Sequence, residues 1–385
     1  MPHSKVKTLP YDKDSLFDCA IIGCGPAGSN LGKILSEHGL RVAILDRRLE
    51  IGSPLRADGV VNVHDLKRAG INPEEIVQSR IKSVRLTCGT SHAEMSASGG
   101  INDAFNASVE TDKLHKEMAA LSAMAGSSIF LRTAATGINC RNDGTFDVIA
   151  LQNGKDAHFQ SKLVVLAAGN WNFLHLEGEI GAPAKTRSIF ENYCRKVTGH
   201  PGERAELNVI SRPHLSMGLE FPFSASMTDC MELEMATGAR QMDLGAPYII
   251  RGQRIVSIPS VPQPVQFGFP VIGMQSGIWN PLFLTGFAQA VETSSVLASI
   301  ILDHIHDGSR QISDIYAKAA DEKVMQTISG EVSLFDALER SSDEKISMLL
   351  QEISQLNLSE VSLNEIIRKS GLHLNEIIDS LLAPH

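Results

Sequence analysis

The chain has 385 residues, of which 35 are Lys or Arg and 44 are Asp or Glu, and its formal net charge is −9 at pH 7. This acidic balance excludes a general attraction to nucleic acid or to anionic membranes, so we expect no nucleic-acid partner. No apolar run approaches the roughly 18–20 residues that a membrane-spanning helix requires, and the polar N-terminal segment lacks a signal-peptide core. The 6 cysteines are scattered without a C-x-x-C pair, which favours a reduced, cytoplasmic location.

A glycine-spaced turn near the N-terminus is the most informative motif. The segment AIIGCGPAGSNLGKILSEHGLRVAILD, residues 20–46, predicts a buried strand over 19–22, a helix over 30–38 and a second strand over 42–45. The turn between the first strand and the helix has the G-x-G-x-x-G spacing. Strand, turn, helix and strand in this order are typical of a dinucleotide-binding unit.

Each glycine of this turn has a separate task. Gly23 permits the tight turn, Gly25 lets the backbone approach a pyrophosphate, and Gly28 lets helix and strand pack closely. The helix N-terminus offers N–H groups and a positive dipole to the phosphates. Asp46 follows the second strand, where a carboxylate can accept hydrogen bonds from a ribose. The motif therefore predicts an adenine-dinucleotide site.

The rest of the chain continues an α/β pattern. Before residue 187 we predict, in order, sheet over 81–95, a helix over 111–126, strands over 129–138 and 146–151, and a buried parallel strand over 162–168. Short β-like segments, prolines and many methionines indicate a separate sheet lobe over 187–264. A strand, a loop and a long helix follow over 271–301, and the remaining chain is helical, with Ser341 and Glu344 as a capping box.

Four separated segments resemble one family. They are, in order, EIGSPLRADGVV, VETDKLHKEMAALSAMAG, KLVVLAAG and IGMQSGIWNPLFLTGFAQAVETS. Together they look like the FAD-binding framework of the flavoprotein monooxygenase-type reductases. The chain is most similar to the geranylgeranyl reductase family, above all to the archaeal digeranylgeranylglycerophospholipid reductases. This resemblance implies that FAD is bound and that isoprenoid double bonds are saturated by hydride from the reduced flavin.

Pattern and resemblance together predict an α/β protein with a Rossmann-type FAD-binding domain, a β-rich substrate lobe and a C-terminal helical region. The predicted segments are the first part of the FAD-binding domain over 15–186, the substrate lobe over 187–264, the second part of the FAD-binding domain over 265–302, and the helical region over 303–385.

The resemblance also implies which residues contact FAD. Arg56 matches an arginine near the cofactor, and the loop at 280–286 matches one that approaches the flavin ring, where a helix N-terminus stabilises the reduced form. The predicted cofactor-binding residues are Gly23, Gly25, Pro26, Ala27, Gly28, Asp46, Arg47, Arg56, Ala168, Gly169, Gly273, Asn280, Pro281, Thr285 and Gly286.

The chain departs from the family pattern at the cofactor. Met274 stands where the family has an aspartate that bonds the ribityl chain, and Thr111 stands where it has a basic residue. The segment LRADG also lacks the cysteine of the archaeal enzymes. We therefore expect FAD to be held weakly.

The aromatic motif of the family's prenyl cavity aligns with MGLEFP here. Met217 and Leu219 replace the first two aromatic residues, a Tyr and a Trp, whereas Phe221 and Pro222 are retained, and these four are the predicted substrate-binding residues. Methionine is flexible and polarizable, so it suits an irregular apolar cavity or, equally, an ordinary core. The other methionines of this lobe are Met227, Met231, Met235 and Met242.

The sequence offers no acid–base pair in the substrate lobe, and it assigns no catalytic residue. We expect His214 to be structural and the acidic residues to be surface charges; these are Asp229, Glu232, Glu234 and Asp243. His304 and His306 form an H-x-H that no further ligand-type residues complete, so we predict no metal site.

Three functions are compatible with these features. The first is an FAD-dependent reductase of a long apolar or lipid alkene, with NADPH or ferredoxin as electron donor and transient contact with a membrane surface. The second is a hydroxylase or redox-neutral cyclase of the same fold, although residues 167–169 lack the Asp-Gly motif usual in hydroxylases. The third is a non-catalytic lipid-binding paralogue, which Thr111 and Met274 favour and the intact glycine turn disfavours. The oligomeric state stays open.

Overall fold

A computed structural model gives the conformation of most of the chain. The residues that it describes are 16–56, 59–96, 105–169, 186–197, 202–210, 215–234, 248–259, 261–281, 285–305 and 309–355.

These residues form a mixed α/β structure. The strands are, in chain order, β1 (Phe17–Ile22), β2 (Val42–Leu45), β3 (Val60–Val61), β4 (Val77–Arg80), β5 (Ser83–Cys88), β6 (Ser91–Ser96), β7 (Ala107–Val109), β8 (Ser128–Phe130), β9 (Thr133–Cys140), β10 (Phe146–Gln152), β11 (Lys155–Leu166), β12 (Thr186–Lys196), β13 (Arg204–Ile210), β14 (Ser216–Ser224), β15 (Met227–Glu234), β16 (Tyr248–Pro259), β17 (Val265–Gln266) and β18 (Phe269–Pro270). The helices are α1 (Pro26–Glu37), α2 (Val63–Arg68), α3 (Pro73–Ile76), α4 (Thr111–Ala125), α5 (Phe287–His304), α6 (Ser309–Ala320), α7 (Gln326–Arg340) and α8 (Asp343–Gln355), with a 3-10 turn at Gly273–Ser276 and a π turn at Asp321–Met325.

A six-stranded sheet carries the predicted dinucleotide unit. Its order is β8-β2-β1-β11-β10-β9, and β1 runs parallel to β2 and β11, with Ala20 opposite both Ala43 and Val164. The central strands are buried, as their continuous apolar sequences predict. Helix α1 begins at Pro26, earlier than the predicted residue 30, because proline is tolerated in the first turn of a helix.

Helices α4 and α5 both pack against α1. Gly32 makes this approach close, since a Cβ there would lie 2.5 Å from Ile44 Cδ1 and 2.7 Å from Ser122 Oγ. The Asn30 side chain donates a 2.8 Å hydrogen bond to Ser294 Oγ and so links α1 to α5. The predicted second part of the FAD-binding domain thus joins the first part through this three-helix layer.

The six-stranded sheet with its helices is the first body of the structure. The second body is built on a seven-stranded sheet, in the order β16-β12-β15-β14-β13-β5-β6. Its strands pair antiparallel except β13 and β5, which are parallel. Strands β5 and β6 lie within the segment 15–186 that we assigned to the FAD-binding domain, so that boundary requires correction. Sequence order hides this arrangement because a strand can pair with a partner far away in the chain.

The predicted helical region 303–385 also divides between the two bodies. Helix α6 packs on α5, and Tyr316 Oη donates a 3.2 Å hydrogen bond to the Val271 carbonyl. Helices α7 and α8 instead cover the seven-stranded sheet, where Leu338 and Leu350 join the core of Leu207. Residues 356–385 lie outside the described part of the chain.

The predicted capping box at the start of α8 is displaced by one residue. Ser341 ends α7, because its N–H donates a hydrogen bond to the Leu338 carbonyl. Ser342 is the residue before α8, and its hydroxyl accepts a 3.4 Å bond from the Lys345 N–H. The two adjacent serines offered the same local signal, and the end of α7 decided between them.

A buried ion pair lies on the seven-stranded sheet, which we also call the large sheet. It is on the inner face, the one that carries Tyr193 and Met231. Arg195 donates bonds of 2.7 and 3.0 Å to the two carboxylate oxygens of Asp229, and neither side chain is more than 5% exposed. Arg195 also stacks on the Phe223 ring and lies 3.3 Å from Glu110, just before α4. The expectation that Asp229 is a surface charge is therefore wrong, because strand alternation directs it inward beside Met231.

We expect Asp229→Asn to destabilise the protein by about 3–5 kcal/mol, since it leaves the buried Arg195 guanidinium with only the more exposed Glu110 carboxylate as a counter-charge. Glu203→Gln is the control, because its ion pair with Lys82 is exposed and should contribute at most about 1 kcal/mol. Urea unfolding of both variants measures the difference, and equal midpoints would contradict it.

Candidate active site

A cavity of about 680 Å³ lies between the two bodies. Gly25 and Asp46 line it from the carboxyl ends of β1 and β2, and Tyr193 and Met231 line it from the inner face of the seven-stranded sheet. Ligands of open α/β sheets bind at the carboxyl ends of the strands, so this is the expected place for a dinucleotide. The volume is within the usual range of ligand sites, roughly 300–1,000 Å³.

The glycine turn has the geometry that the motif predicts. Gly23 has a φ of +113°, and a Cβ there would overlap the Ala167 carbonyl. A Cβ on Gly28 would overlap the Gly23 carbonyl oxygen and lie 3.2 Å from Ile21 Cγ2. These two glycines therefore bring helix α1 against β1 and β11.

Gly25 differs from its neighbours because it faces the cavity. A Cβ built on it meets no atom within 4 Å, and it is the N-cap of α1 with no side chain bonded across the helix end. The first N–H groups of α1 are thus turned toward open space in the cavity. This bare helix end fits a pyrophosphate, which would accept those N–H groups and the positive end of the helix dipole.

The Asp46 carboxylate is already extensively bonded within the protein. One oxygen accepts bonds from the Cys24 N–H (2.8 Å) and Arg48 Nη2 (2.7 Å), and the other accepts from the Arg48 N–H (2.8 Å) and Nε (2.9 Å). Burial alone raises the pKa of Asp46, but the bonds from Arg48 and Cys24 outweigh it and hold the pKa below its usual value. A ribose hydroxyl at Asp46 would have to displace a contact with Arg48, a residue that the motif did not predict.

Residues predicted to contact the flavin ring also line the cavity. Arg56, Thr285 and Gly286 all lie on its wall, and Asn280 and Thr285 hold their loop together through reciprocal backbone bonds of 2.9 and 3.2 Å. Helix α5 begins directly after Gly286, without a side-chain cap. Residues 282–284 of the predicted loop lie outside the described part of the chain.

Thr111 and Met274, the two residues that depart from the family pattern at the cofactor, both line the cavity. Thr111 lies at the start of α4, and Met274 packs beside Trp279 with its methyl group 3.6 Å from the Cβ position of Gly286. The next residue, Gln275, is buried and its amide oxygen accepts a 2.7 Å bond from the Ala168 N–H. A carboxylate is replaced here by an apolar contact and a neutral amide.

A polar patch that the sequence pattern did not predict lies on the opposite wall. Glu191 is 4% exposed and accepts a 2.6 Å bond from Arg254 Nε, and Tyr193 lies next to this pair on β12. Gly252 accommodates the phenol, since a Cβ there would overlap Tyr193 Oη. The alternation Ile189, Glu191, Tyr193 was the available signal, because these residues share one face of a strand.

The predicted substrate residues lie beside this wall but are not on it. Met217, Leu219 and Phe221 are at most 1% exposed and belong to the core beneath α7, and the Pro222 carbonyl accepts a 2.6 Å bond from Ser108. Their neighbours on β15 line the cavity instead. Those neighbours are Met231, opposite Leu219, and Leu233, opposite Met217.

The cavity brings together most of the predicted cofactor residues. Those on its wall are Gly23, Gly25, Pro26, Ala27, Asp46, Arg47, Arg56, Ala168, Gly169, Gly273, Thr285 and Gly286. Gly28, Asn280 and Pro281 support the wall from behind, through helix packing and the closed loop. His214, Met235 and Met242 lie outside the described residues.

Comparison with known proteins agrees with this geometry. Residues 17–177 match a family of FAD-binding domains. The chain is 23% identical to the digeranylgeranylglycerophospholipid reductase of Thermoplasma volcanium over 401 aligned residues, which cover 95% of this chain and 98% of that protein. The solved structure of a geranylgeranyl bacteriochlorophyll reductase-like protein from Thermoplasma acidophilum superposes with a TM-score of 0.81 at 19% identity, covering 95% and 98% of the two chains. The chain is an FAD-dependent oxidoreductase related to these reductases.

The predicted fold class, the FAD cofactor and the family resemblance are thereby confirmed. The same fold carries other chemistry, since the oxidoreductase also superposes on p-nitrophenol 4-monooxygenase from Pseudomonas putida with a TM-score of 0.70 at 13% identity, covering 94% and 98% of the two chains. Fold alone therefore does not decide the reaction. Within the described ranges, the oxidoreductase has no helix with the length and apolar character needed to cross a bilayer.

We expect Gly25→Val to fold normally but to lose bound FAD, because a Cβ at this position meets no protein atom and the side chain would project into the cavity where we predict the pyrophosphate. Gly28→Val should instead lower the Tm of the apoprotein strongly, because it forces α1 away from the turn. Flavin absorbance per protein and thermal unfolding of the apoproteins separate the two effects. Normal flavin content in Gly25→Val would show that the pyrophosphate lies elsewhere.

The Asp46–Arg48 contact predicts a pH dependence of stability. Because the pKa of Asp46 is lowered in the folded protein, its ionised form stabilises the fold above about pH 4, and this contribution is lost as the pH falls through the folded pKa. In Arg48→Gln burial remains without the guanidinium, so acid unfolding should move to higher pH. The control variant is Arg47→Gln, because Arg47 is exposed. If both variants unfolded at the same acid midpoint as wild type, Arg48 would not be the group that stabilises the ionised Asp46.

Proposed function

We propose that the protein reduces carbon–carbon double bonds of an isoprenoid or a similarly long apolar substrate. The observation that carries this proposal is the continuity of the cavity. A single space extends from the glycine turn to an apolar wall made by Ile189, Met231 and Leu233. A substrate on this wall would lie against the cofactor, and the cavity would shield the substrate from water.

The relatives support the same substrate class. Curated relatives over nearly the whole chain are named digeranylgeranylglycerophospholipid reductases, so a prenyl lipid is the first class to test. Met217 and Leu219 support the cavity wall from the neighbouring strand, and flexible methionines on both strands suit chains of varied length.

Reduced FAD, when bound, supplies the hydride for one carbon of the double bond. The protein must then hold the alkene, exclude water and provide a proton for the other carbon. The backbone at Gly23 and Gly25, the α1 N-terminus and Arg56 would hold the cofactor, and the face of β12 and β15 would hold the substrate.

Tyr193 is the group we propose for the proton. Tyr193 is 6% exposed and lies on the cavity wall directly across from Met231, and its phenol hydroxyl can donate a proton. The neighbouring Glu191–Arg254 pair gives the same wall one polar patch, suited to the polar end of an amphiphilic substrate. The apolar wall and the proton source are therefore adjacent.

The first test is direct. Reduced holoprotein incubated with geranylgeranyl lipids in detergent micelles should yield products heavier by one dihydrogen for each double bond reduced, detected by mass spectrometry. NADPH and reduced ferredoxin are supplied in parallel to identify the electron donor. A product heavier by one oxygen would support the hydroxylase instead, and an isomer of unchanged mass would support the cyclase. No product and no prenyl-chain binding would remove the isoprenoid proposal.

We expect Tyr193→Phe to slow alkene reduction about 10²–10⁴-fold, the usual contribution of a positioned general acid. Flavin content, the rate of flavin reduction by the donor and substrate affinity should remain near wild type. The control is Tyr316→Phe, which removes a phenol that is buried away from the cavity. An unchanged rate of reoxidation by the alkene in Tyr193→Phe would assign the proton to another source.

A further inference from the structure

Two cysteines face each other on the large sheet. Strands β12 and β15 are antiparallel, and their register places Cys194 directly opposite Cys230. The two residues are 0% and 2% exposed and contact each other as a small cluster separate from the main cores. They alternate with Tyr193 and Met231, so they occupy the sheet face opposite the cavity.

This placement fits a disulfide without movement of the backbone. Directly opposed residues of antiparallel strands have Cα atoms about 4.5–5.5 Å apart, within the range of about 4.4–6.8 Å found for disulfides. The other four cysteines have different neighbours. Cys19 lies between Val42 and Leu163, Cys88 faces Ser91, Cys140 faces Phe146, and Cys24 Sγ lies 3.4 Å from Ser29 Oγ.

The surroundings make the two thiols unequal. The hydrogen bond from Cys230 lowers the pKa of Cys194, against the effect of burial and with help from the Lys196 ammonium, while the same bond raises the pKa of Cys230. Lys196 is fixed on this face by a 2.9 Å bond to Glu220, the residue opposite Cys230 on β14. The Cys194 thiol therefore ionises more readily than the Cys230 thiol beside it.

We propose that Cys194 and Cys230 are a redox-active dithiol, which a low-molecular-weight disulfide such as oxidised glutathione converts to a cross-strand disulfide. The Cys194 thiolate attacks one sulfur of the oxidant, and the S–S bond of the oxidant breaks to release a thiolate that takes up a proton. Cys230 then loses its proton and attacks the Cys194 sulfur, which releases the second glutathione thiol. Two protein thiols are oxidised, and one small disulfide is reduced to two thiols.

The bond would join the two strands that carry Tyr193 and Met231 on their other face. The oxidised protein should therefore have a higher Tm than the reduced one, because the cross-link restricts the unfolded chain. This site uses none of the residues assigned to FAD or to the substrate, so it is independent of the proposed reaction.

The test uses the reduced holoprotein. It is incubated with oxidised glutathione, alkylated and digested, and its cysteine peptides are measured by mass spectrometry. We expect the Cys194 and Cys230 peptides to be joined with the loss of two hydrogens, whereas the exposed Cys140 carries glutathione. Protein unfolded in urea is the control, and it should give mixed pairings among all 6 cysteines.

Two variants test the order of the steps. Cys230→Ser should stop at a glutathione adduct on Cys194, and Cys194→Ser should leave Cys230 unmodified, with circular dichroism to verify the fold of both. Should either variant fail to fold, the wild-type peptide analysis decides alone. Cys194 and Cys230 remaining as thiols while Cys140 is fully glutathionylated, or pairing with other cysteines in the native protein, would overturn the proposal.

Discussion

The close approach of helix α1 to the first strands is the constraint on which the structure depends. Gly23 and Gly28 leave no space for a side chain between the turn, β11 and the helix, so the helix must start at the carboxyl end of β1. Its bare N-terminus then faces the cavity through Gly25, which alone of the three glycines has open space around it. Packing and ligand binding thus require glycine for opposite reasons within one short motif.

The second body places a wall opposite that helix end. Its sheet is assembled from strands that are far apart in sequence, and the buried Arg195–Asp229 pair with Glu110 connects it to the start of α4. Ion pairs at such depth add little net stability but are costly to disrupt, so they favour one relative position of the joined elements. The cavity is the space left between the two bodies in that position.

Strand alternation divides the large sheet into two chemical faces. On β12, Glu191 and Tyr193 face the cavity, while Cys194 points to the other side and meets Cys230. On β14, the inward residues act as core and share one cluster with Leu338 of α7 and Met231 of β15, so cavity wall and core are continuous parts of one apolar face. Met231 belongs to this core cluster and also to the cavity wall.

The sequence by itself determined the dinucleotide unit and the parallel strands, because these depend on local spacing. Gly23, Gly25 and Gly28 act within one turn, and hydrophobic periodicity and apolar runs specify individual strands. The choice of FAD came from the resemblance of four separated segments to one family. Only the tertiary structure decided that β5 and β6 join the distant sheet, that Arg48 occupies the Asp46 carboxylate, and which apolar residues line the cavity. Those outcomes depend on contacts between segments far apart in the chain, and the pattern of one segment carries no information about the partner that covers it or leaves it open.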